Sequence, residues 1–440
     1  MDSNTVRAIE KAGVVGAGGG AFPTHAKAAA RADTVLANGA ECEPLVLSDS
    51  FVMTTAAERV VRGLELMAEA VGAGRAVVAV KAENAEAAGA MAKAIGRRPI
   101  ELLELENVYP AGDELLLVHA ATDRVVPEGG HPTDIGVVVS NVTTLAQVAD
   151  AAEGRPVTER PVTVRGEVRR PGVYVVPIGT PVADVLAAAG PIGSGLAVLA
   201  GGPMMGRLAA DDEVTDRALS GLFVLPRSHR LIATRTATES HVLRMARAAC
   251  CQCLACTELC PRALLGHALA PHRTVRAVQY DTAASDAAGV TSAFLCSECG
   301  MCELFACPLE LQPRRILADL KAELRRRGVQ NPHRRSDLRA DGVRAWRQIP
   351  SERLRRRLGL SDYCATPAVS GERVRPGSVR LRLDRHAGAP AVPVVTEGSR
   401  VLAGDVVAEI PEGALGARVH ASVSGRVASV SREEVEVAAE

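Results

Sequence analysis

Two runs of cysteine constrain this chain more than any other feature: CCQCLACTELCP, Cys250 to Pro261, and CSECGMCELFACP, Cys296 to Pro308. Cys250, Cys253, Cys256 and Cys260 follow C-x2-C-x2-C-x3-C. Cys296, Cys299, Cys302 and Cys307 follow C-x2-C-x2-C-x4-C, and the last cysteine of each run precedes proline. Three thiolates at such intervals can take three corners of an iron–sulfur cube. The fourth lies too far along the chain to close the same cube, and in two-cluster ferredoxins it ligates the other one. The spacing therefore assigns Cys250, Cys253, Cys256 and Cys307 to one [4Fe–4S] cluster, and Cys296, Cys299, Cys302 and Cys260 to a second. A pair of zinc sites is the alternative, but zinc usually takes two separated pairs of ligands rather than a triplet plus one. The x4 step departs from the commonest run. Cys251 falls outside the register, because using it in place of Cys250 breaks the x2 step. The roles of Cys42, Cys251 and Cys364 stay open.

Eleven cysteines among 440 residues imply metal or redox chemistry before disulfides if the chain is cytosolic. The start MDSNTVRAIEKAG has no basic-then-apolar leader. The longest uncharged stretch, Val185 to Gly206, is interrupted by GPIGSG and GGP, which read as turns and not as a membrane span. A soluble, cytoplasmic protein is the expectation. Lys plus Arg equals Asp plus Glu at 51 each, so net charge does not point to nucleic acid. Aromatic residues are 2% of the chain, which leaves Ala, Val, Leu and Gly to pack the cores.

Over residues 1–152, strand-like runs (RAVVAV, DIGVVVS) alternate with helix-like ones (AAERVVRGLELMAEAV, NAEAAGAMAKAI), the pattern of a layered α/β domain. EGRPVTERP reads as a linker. Residues 157–210 hold two short strands around a Pro-Gly turn and a helix ending at Gly190, a small β-grasp module. Residues 236–325 carry the cysteine runs between helices. Residues 326–373 are strongly basic and read as a helical linker or solvated face, with a dock for an acidic partner as the sharper alternative. Residues 374–440 are valine-rich strands parted by turns, a small all-β barrel or sandwich.

Near the N-terminus stands GAGGGAFPTHAKAA. Its glycines let backbone N–H groups approach an anion, and Lys27 adds a positive charge. It is neither the dinucleotide fingerprint nor a Walker loop: no G-x-G-x-x-G follows a strand, and no Ser or Thr follows the lysine. NGAECEP (Asn38–Pro44), YPAGDE (Tyr109–Glu114) and SNVTTLAQV (Ser140–Val148) add amides, hydroxyls and carboxylates. Four polar clusters in one α/β domain upstream of two cluster motifs favour a bound redox cofactor, and a flavin fits because it takes a hydride and releases electrons singly.

Taken in order, these four motifs resemble the flavin site of the NADH-oxidising subunit of respiratory complex I, and a similar set occurs in the RnfC proteins of Rnf electron-transport complexes. The β-grasp segment is similar to the soluble-ligand-binding β-grasp (SLBB) module that follows the flavin domain in both. The C-terminal RHAGAPAVPVVTEGSRVLAGDVVAEI resembles the barrel-sandwich segment that RnfC proteins carry at the N-terminus. Its C-terminal place here, and CELFACP, most resemble the cobalamin reductase family of propanediol-utilisation microcompartments. The resemblance implies a Rossmann-like FMN domain, an SLBB module, a helical bis-[4Fe–4S] ferredoxin domain and a barrel-sandwich hybrid. It implies Gly16, Gly18, Gly19 and Lys27 as the FMN cradle, with Asn38, Glu41, Asn141 and Thr144 as further flavin contacts. It implies Phe22 stacking on the nicotinamide nucleotide, and Glu43 and Glu114 as acids beside it. Ala17 and Ala40 depart from the complex I pattern, which has Arg and Asp there. HASVSGRV has no lysine, so the barrel is not read as a biotin or lipoyl carrier. The implied activity is NADH-dependent reduction of cobalamin through FMN and two [4Fe–4S] clusters in a bacterial microcompartment. The implied partners are a cobalamin-dependent enzyme or adenosyltransferase, and a shell protein. A non-catalytic relay of Rnf type, or a reductase of another microcompartment pathway without cobalamin, are the alternatives.

Overall fold

A computed structural model describes residues 3–280, 282, 286–365 and 367–440. Four parallel strands organise the first domain, in the order Ile100–Leu105, Arg75–Lys81, Thr34–Gly39, Val137–Asn141. Successive side chains of a strand point to opposite faces. Val35, Ala37, Val78 and Val80 accordingly meet helices Ala57–Val71 and Val142–Ala152 on one side. Leu36, Val77, Val137 and Val139 meet helix Glu114–Thr122 on the other. With both faces covered, the strands can be apolar throughout. Strand order reverses between Thr34–Gly39 and Val137–Asn141, so their carboxyl ends lie side by side and leave the crevice typical of open parallel sheets. The glycine loop reaches that crevice from helix Ser3–Lys11; Val15 bridges to Pro23 and closes Gly16–Phe22 into a loop.

The β-grasp sheet is larger than residues 157–210. Its six strands run in the order Val369–Arg373, Gly172–Pro177, Glu159–Gly166, Gly221–Pro226, Leu196–Ala200, Arg207–Leu208. Gly221–Pro226 fills the centre, parallel to Glu159–Gly166, and Val369–Arg373 adds an edge beside Gly172–Pro177. The valines of these strands and helix Val182–Ala189 form one core, which a two-strand module alone could not bury.

The basic segment 326–373 is mostly a strap, not a helical linker. Gly328, at φ +71°, follows the end of helix Pro313–Arg326, and apart from a short 3-10 turn at Arg344–Arg347 helix resumes only at Ser351–Arg357. Between them Ile349–Pro350 pairs with Val108–Tyr109. The strap's arginines meet the chain's own acids: Arg335 with the buried Glu128 at 2.5 Å, Arg347 with Glu258 at 2.8 Å, Arg355 with Glu83 at 3.7 Å. The C-terminal strands form two small antiparallel sheets, Ser378–Arg382 with Glu434–Ala439, Gly425–Val430 and Arg400–Val401, and Val392–Pro393 with Val406–Glu409 and Val419–His420. Their core is continuous with that of the first domain.

Buried arginines fasten these parts together. Arg217, from the β-grasp domain, donates to the carbonyls of Gly13 (2.9 Å) and Arg418 (2.8 Å) and lies 3.2 Å from His386 Nδ1. Burial, with Arg217 and Arg418 adding, pushes the nearby His420 down to about 4. Its neutral ring is therefore favoured in the fold, while the unfolded chain protonates it near the usual histidine value. Between those two values the unfolded state binds more protons, so stability falls as pH drops from about 6.5 towards 4, by about 2–3 kcal/mol for this one group. Thermal unfolding of His420→Gln across that range should show a flatter acid limb than the parent; an unchanged limb would place the acid sensitivity elsewhere.

Candidate flavin cavity and thiol sets

A cavity of about 550 Å³ opens at the crevice between the two central strands. All of the residues expected at the cofactor line it except Gly19: Gly16, Gly18, Phe22, Lys27, Asn38, Glu41, Glu43, Glu114, Asn141 and Thr144. Gly19, at φ +100°, sits at the turn of the loop, and a Cβ there or at Gly20 would meet nothing within 4 Å, so this stretch of backbone borders open space.

Most of the polar groups already hold one another. Thr144 Oγ1 accepts the Ala17 N–H at 2.9 Å, and Arg160 lies 3.5 Å from the Ala17 carbonyl, which fixes the entry to the glycine loop from two sides. Lys27 donates to Glu114 (3.1 Å) and to the Val139 carbonyl (2.9 Å). Asn38 donates to the Gly112 carbonyl at 2.9 Å. Glu41 accepts the N–H groups of Asp49 (2.7 Å) and Ser50 (2.9 Å) and the Ser50 hydroxyl, holding the start of helix Ser48–Thr55. Asn141 caps its helix through the Thr143 N–H and donates to Asp49 at 2.7 Å. Burial, then the charge of Asp49, raises Glu41 to about 7.

Glu43 reaches into the neighbouring domain. Its two oxygens accept the Met204 and Met205 N–H groups, each at 2.8 Å, and a Cβ on Gly202 would lie 2.2 Å from its carboxyl. The turn Gly202–Gly206 is thus pinned over the cavity with Met205 at the lining.

Several lining residues had no role assigned to them from the sequence. Asp113 caps helix Glu114–Thr122 and pairs with Arg262 at 3.0 Å, both side chains largely buried. An aspartate just before an apolar helix is a cap signal, but Arg262 comes from the far end of the first cysteine run and nothing local announces it. Cys42 is in the lining, accepts the Gly112 N–H and is pushed up to about 11 by burial. Ser140 Oγ is buried, lines the cavity and has no hydrogen-bond partner among the described residues. An unsatisfied hydroxyl there costs about 1–3 kcal/mol unless a ligand meets it. With the open glycine turn and Lys27, it fits a polar, phosphate-bearing group.

Beyond the cavity the eight thiols fall into two sets. Burial, with Cys307, Cys253 and Cys250 adding, pushes Cys256 up to about 12. Burial with Cys296 does the same to Cys299, and Cys302 is raised by burial with Cys296, Cys299 and Cys260. The fourth thiol of each run thus neighbours the triplet of the other. Such crowded thiols lose their protons when iron binds, so the donor chemistry fits two clusters. Ser297 and Cys299 also line the cavity, and Tyr109 donates to the Cys299 carbonyl at 2.6 Å. The set containing Cys299 therefore lies against the cavity, and the other lies beyond it.

The backbone explains the spare cysteine and the long step. Gln252 and Leu254 flank Cys253 at positive φ, as Glu298 and Gly300 flank Cys299. In this register Cys250 matches Cys296, and the exposed Cys251 matches Ser297. Around the third cysteine of each triplet, Ala255–Glu258 is a short α-helix, whereas Met301–Ala306 is a π-helix. A π turn spans one more residue than an α turn, which accommodates the extra residue of the x4 step.

Four family models match the chain in succession. Residues 9–150 match the Nuo51 FMN-binding domain, 161–208 the SLBB domain, 249–312 the 4Fe-4S dicluster domain and 370–440 the RnfC barrel sandwich hybrid domain. Cobalamin reductase PduS of Citrobacter freundii is 42% identical over 99% of this chain and 97% of its own length; that of Salmonella typhimurium is 43% identical over 98% and 95%. The chain belongs to the cobalamin reductase PduS family. The C component of the Na+-translocating ferredoxin:NAD+ oxidoreductase complex of Acetobacterium woodii is 36% identical over 59% of this chain and 58% of its own length. This PduS-family member is an oxidoreductase with an FMN-binding domain and a dicluster [4Fe–4S] domain. Among the described residues no helix is long and apolar enough to cross a membrane.

Cys251→Ala should retain about eight irons per chain, as two cubanes require. Cys260→Ala should alter the paramagnetic resonance signal of the cluster beside the cavity and spare the other. Loss of a cluster from Cys251→Ala would show the register to be shifted by one.

Proposed function

We propose that this protein oxidises NADH at the cavity and passes the electrons to cobalamin by way of the two thiol sets. The observation that carries the reading is that Cys299 and Ser297 belong at once to the cavity lining and to a cysteine run, so the entry site and the first electron carrier share a wall. The near full-length match to two cobalamin reductases supports cobalamin as acceptor. The Rnf relative matches little more than half the chain, which disfavours the relay reading. Bound FMN supplies the switch from a hydride to single electrons.

In this reading the Gly18–Gly20 backbone, Lys27 and Ser140 hold the phosphate and ribityl end, with Asn38, Asn141 and Thr144 shaping the pocket around them. Cys250, Cys253, Cys256 and Cys307 hold one cluster; Cys260, Cys296, Cys299 and Cys302 hold the other. Glu114 keeps Lys27 in place, and Phe22 stands at the mouth for the nucleotide. Glu43 acts through the turn it pins. The family match supports a cytoplasmic setting within a bacterial microcompartment, and a cobalamin-dependent enzyme or adenosyltransferase and a shell protein are the partners this reading expects.

Anaerobic holoprotein with NADH should convert the cob(III)alamin spectrum to a reduced form; reduction of viologen dye with no change in cobalamin would overturn the acceptor assignment. Glu43→Gln keeps only one oxygen for two N–H donors. It should raise the KM for NADH several-fold, on the order of one lost hydrogen bond, with flavin and iron retained. Unchanged KM would remove the Met204–Met205 turn from nucleotide binding.

A further inference from the structure

The two thiol sets differ in how they meet solvent. Cys260 and Cys302 of the set beside the cavity are buried, whereas Cys253 of the outer set is exposed, and the whole stretch Cys251–Leu254 faces solvent. Two large apolar side chains stand exposed there, Leu254 at 40% and Tyr280 at 55%. Leu254 lies two residues from Gln252 in this loop. Gln252 donates to the Tyr280 hydroxyl at 2.9 Å, and Gln279 to the Arg247 carbonyl at 3.1 Å. These bonds tie the cysteine loop to the ends of helices Pro271–Gln279 and Glu239–Ala249.

Leu254 is the unexpected member. It holds φ +64° where the matching position of the other run is Gly300. A branched side chain avoids that conformation and glycine does not, so the ligand loop itself gives no reason for leucine. Strain kept at an exposed position points to a use at the surface.

Among the described residues, the unpaired charges around this apolar centre have one sign. Arg244, Arg247 and Arg276 are exposed, and among the described residues none of them forms an ion pair. Helix Pro271–Gln279 has no acidic residue, and helix Glu239–Ala249 has one only at its far end, Glu239. Of the described acids nearby, Asp286 pairs with Arg273 and Glu258 with Arg347. An apolar centre with a charged rim is the anatomy of a transient protein interface, and a rim of one sign steers a partner of the other.

We propose that the Cys251–Leu254 loop, flanked by Tyr280 and bordered by Arg244, Arg247 and Arg276, is the docking face for an acidic electron-accepting protein. The electron leaves the outer cluster here and reduces the partner's oxidised centre by one. The proposal rests on the electron-transfer reading but not on NADH or cobalamin as the terminal substrates.

The test uses holoprotein reduced anaerobically with dithionite and freed of excess, so that failure of NADH oxidation does not affect it. Stopped-flow mixing with cytochrome b5, an acidic haem protein, and with cytochrome c, a basic one, measures reduction of the haem iron. The rate with cytochrome b5 should fall about tenfold as ionic strength rises from about 10 to about 300 mM. The triple variant Arg244→Glu, Arg247→Glu, Arg276→Glu should slow cytochrome b5 about tenfold at low salt and speed cytochrome c, with viologen dye reduction and iron content unchanged. Leu254→Gly should keep its iron yet slow cytochrome b5 several-fold. A rate with cytochrome b5 that is flat across ionic strength, or a triple variant within about twofold of the parent, overturns the proposal. Should the triple variant lose iron, the salt dependence of the unaltered protein decides alone.

Discussion

Neither thiol set can be assembled from one cysteine run. Cys260 leaves the first run to join Cys296, Cys299 and Cys302, and Cys307 leaves the second to join Cys250, Cys253 and Cys256. This exchange forces the two runs, separated by a whole helical segment, into one body with its own small core. It also sets the polarity of the molecule. The residue two beyond Cys260, Arg262, reaches Asp113 at the cavity wall, and Tyr109 of the same wall bonds to Cys299. The inner set is thereby held against the flavin domain, and the outer set is left to face solvent.

The other domains act on the same cavity from behind. Arg160 backs Ala17, and Arg217 holds Gly13, so both ends of the approach to the glycine loop rest on guanidinium groups from the β-grasp domain. Burial brings each of them down to about 10, still well charged at neutral pH, and each is satisfied by carbonyl oxygens. The barrel contributes the Ala387 N–H to the Ala21 carbonyl. A buried charge that lost these acceptors would be expensive, which makes the domain arrangement cooperative with the loop's shape.

Legibility followed the range of the interaction. The cysteine spacing is local, and so are the polar clusters; every one of those clusters turned up at the same crevice because strand ends and helix starts are where open sheets gather side chains. What could not be read was pairing at a distance. Val369–Arg373 completes a sheet begun two hundred residues earlier, and no period in its sequence announces a parallel edge. The hold of Glu43 on the neighbouring domain was hidden as well, because its partners are backbone N–H groups of Met204 and Met205, which carry no side-chain signal. The basic strap looked helical because arginine is a good helix former; Gly328 and the buried Glu128 that draws Arg335 into the fold outweigh that propensity.

The π turn at Met301–Ala306 bears on how such motifs change over time. Within each triplet, the paired left-handed residues at Gln252 and Leu254, and at Glu298 and Gly300, leave no slack, so an inserted residue there would move a ligand. The step from third to fourth cysteine lies in a helix, and a helix can take in one residue by widening a single turn. One side of the motif is thus intolerant of insertion while the other absorbs it locally. A search that demands a constant interval throughout would pass over working members of the lineage.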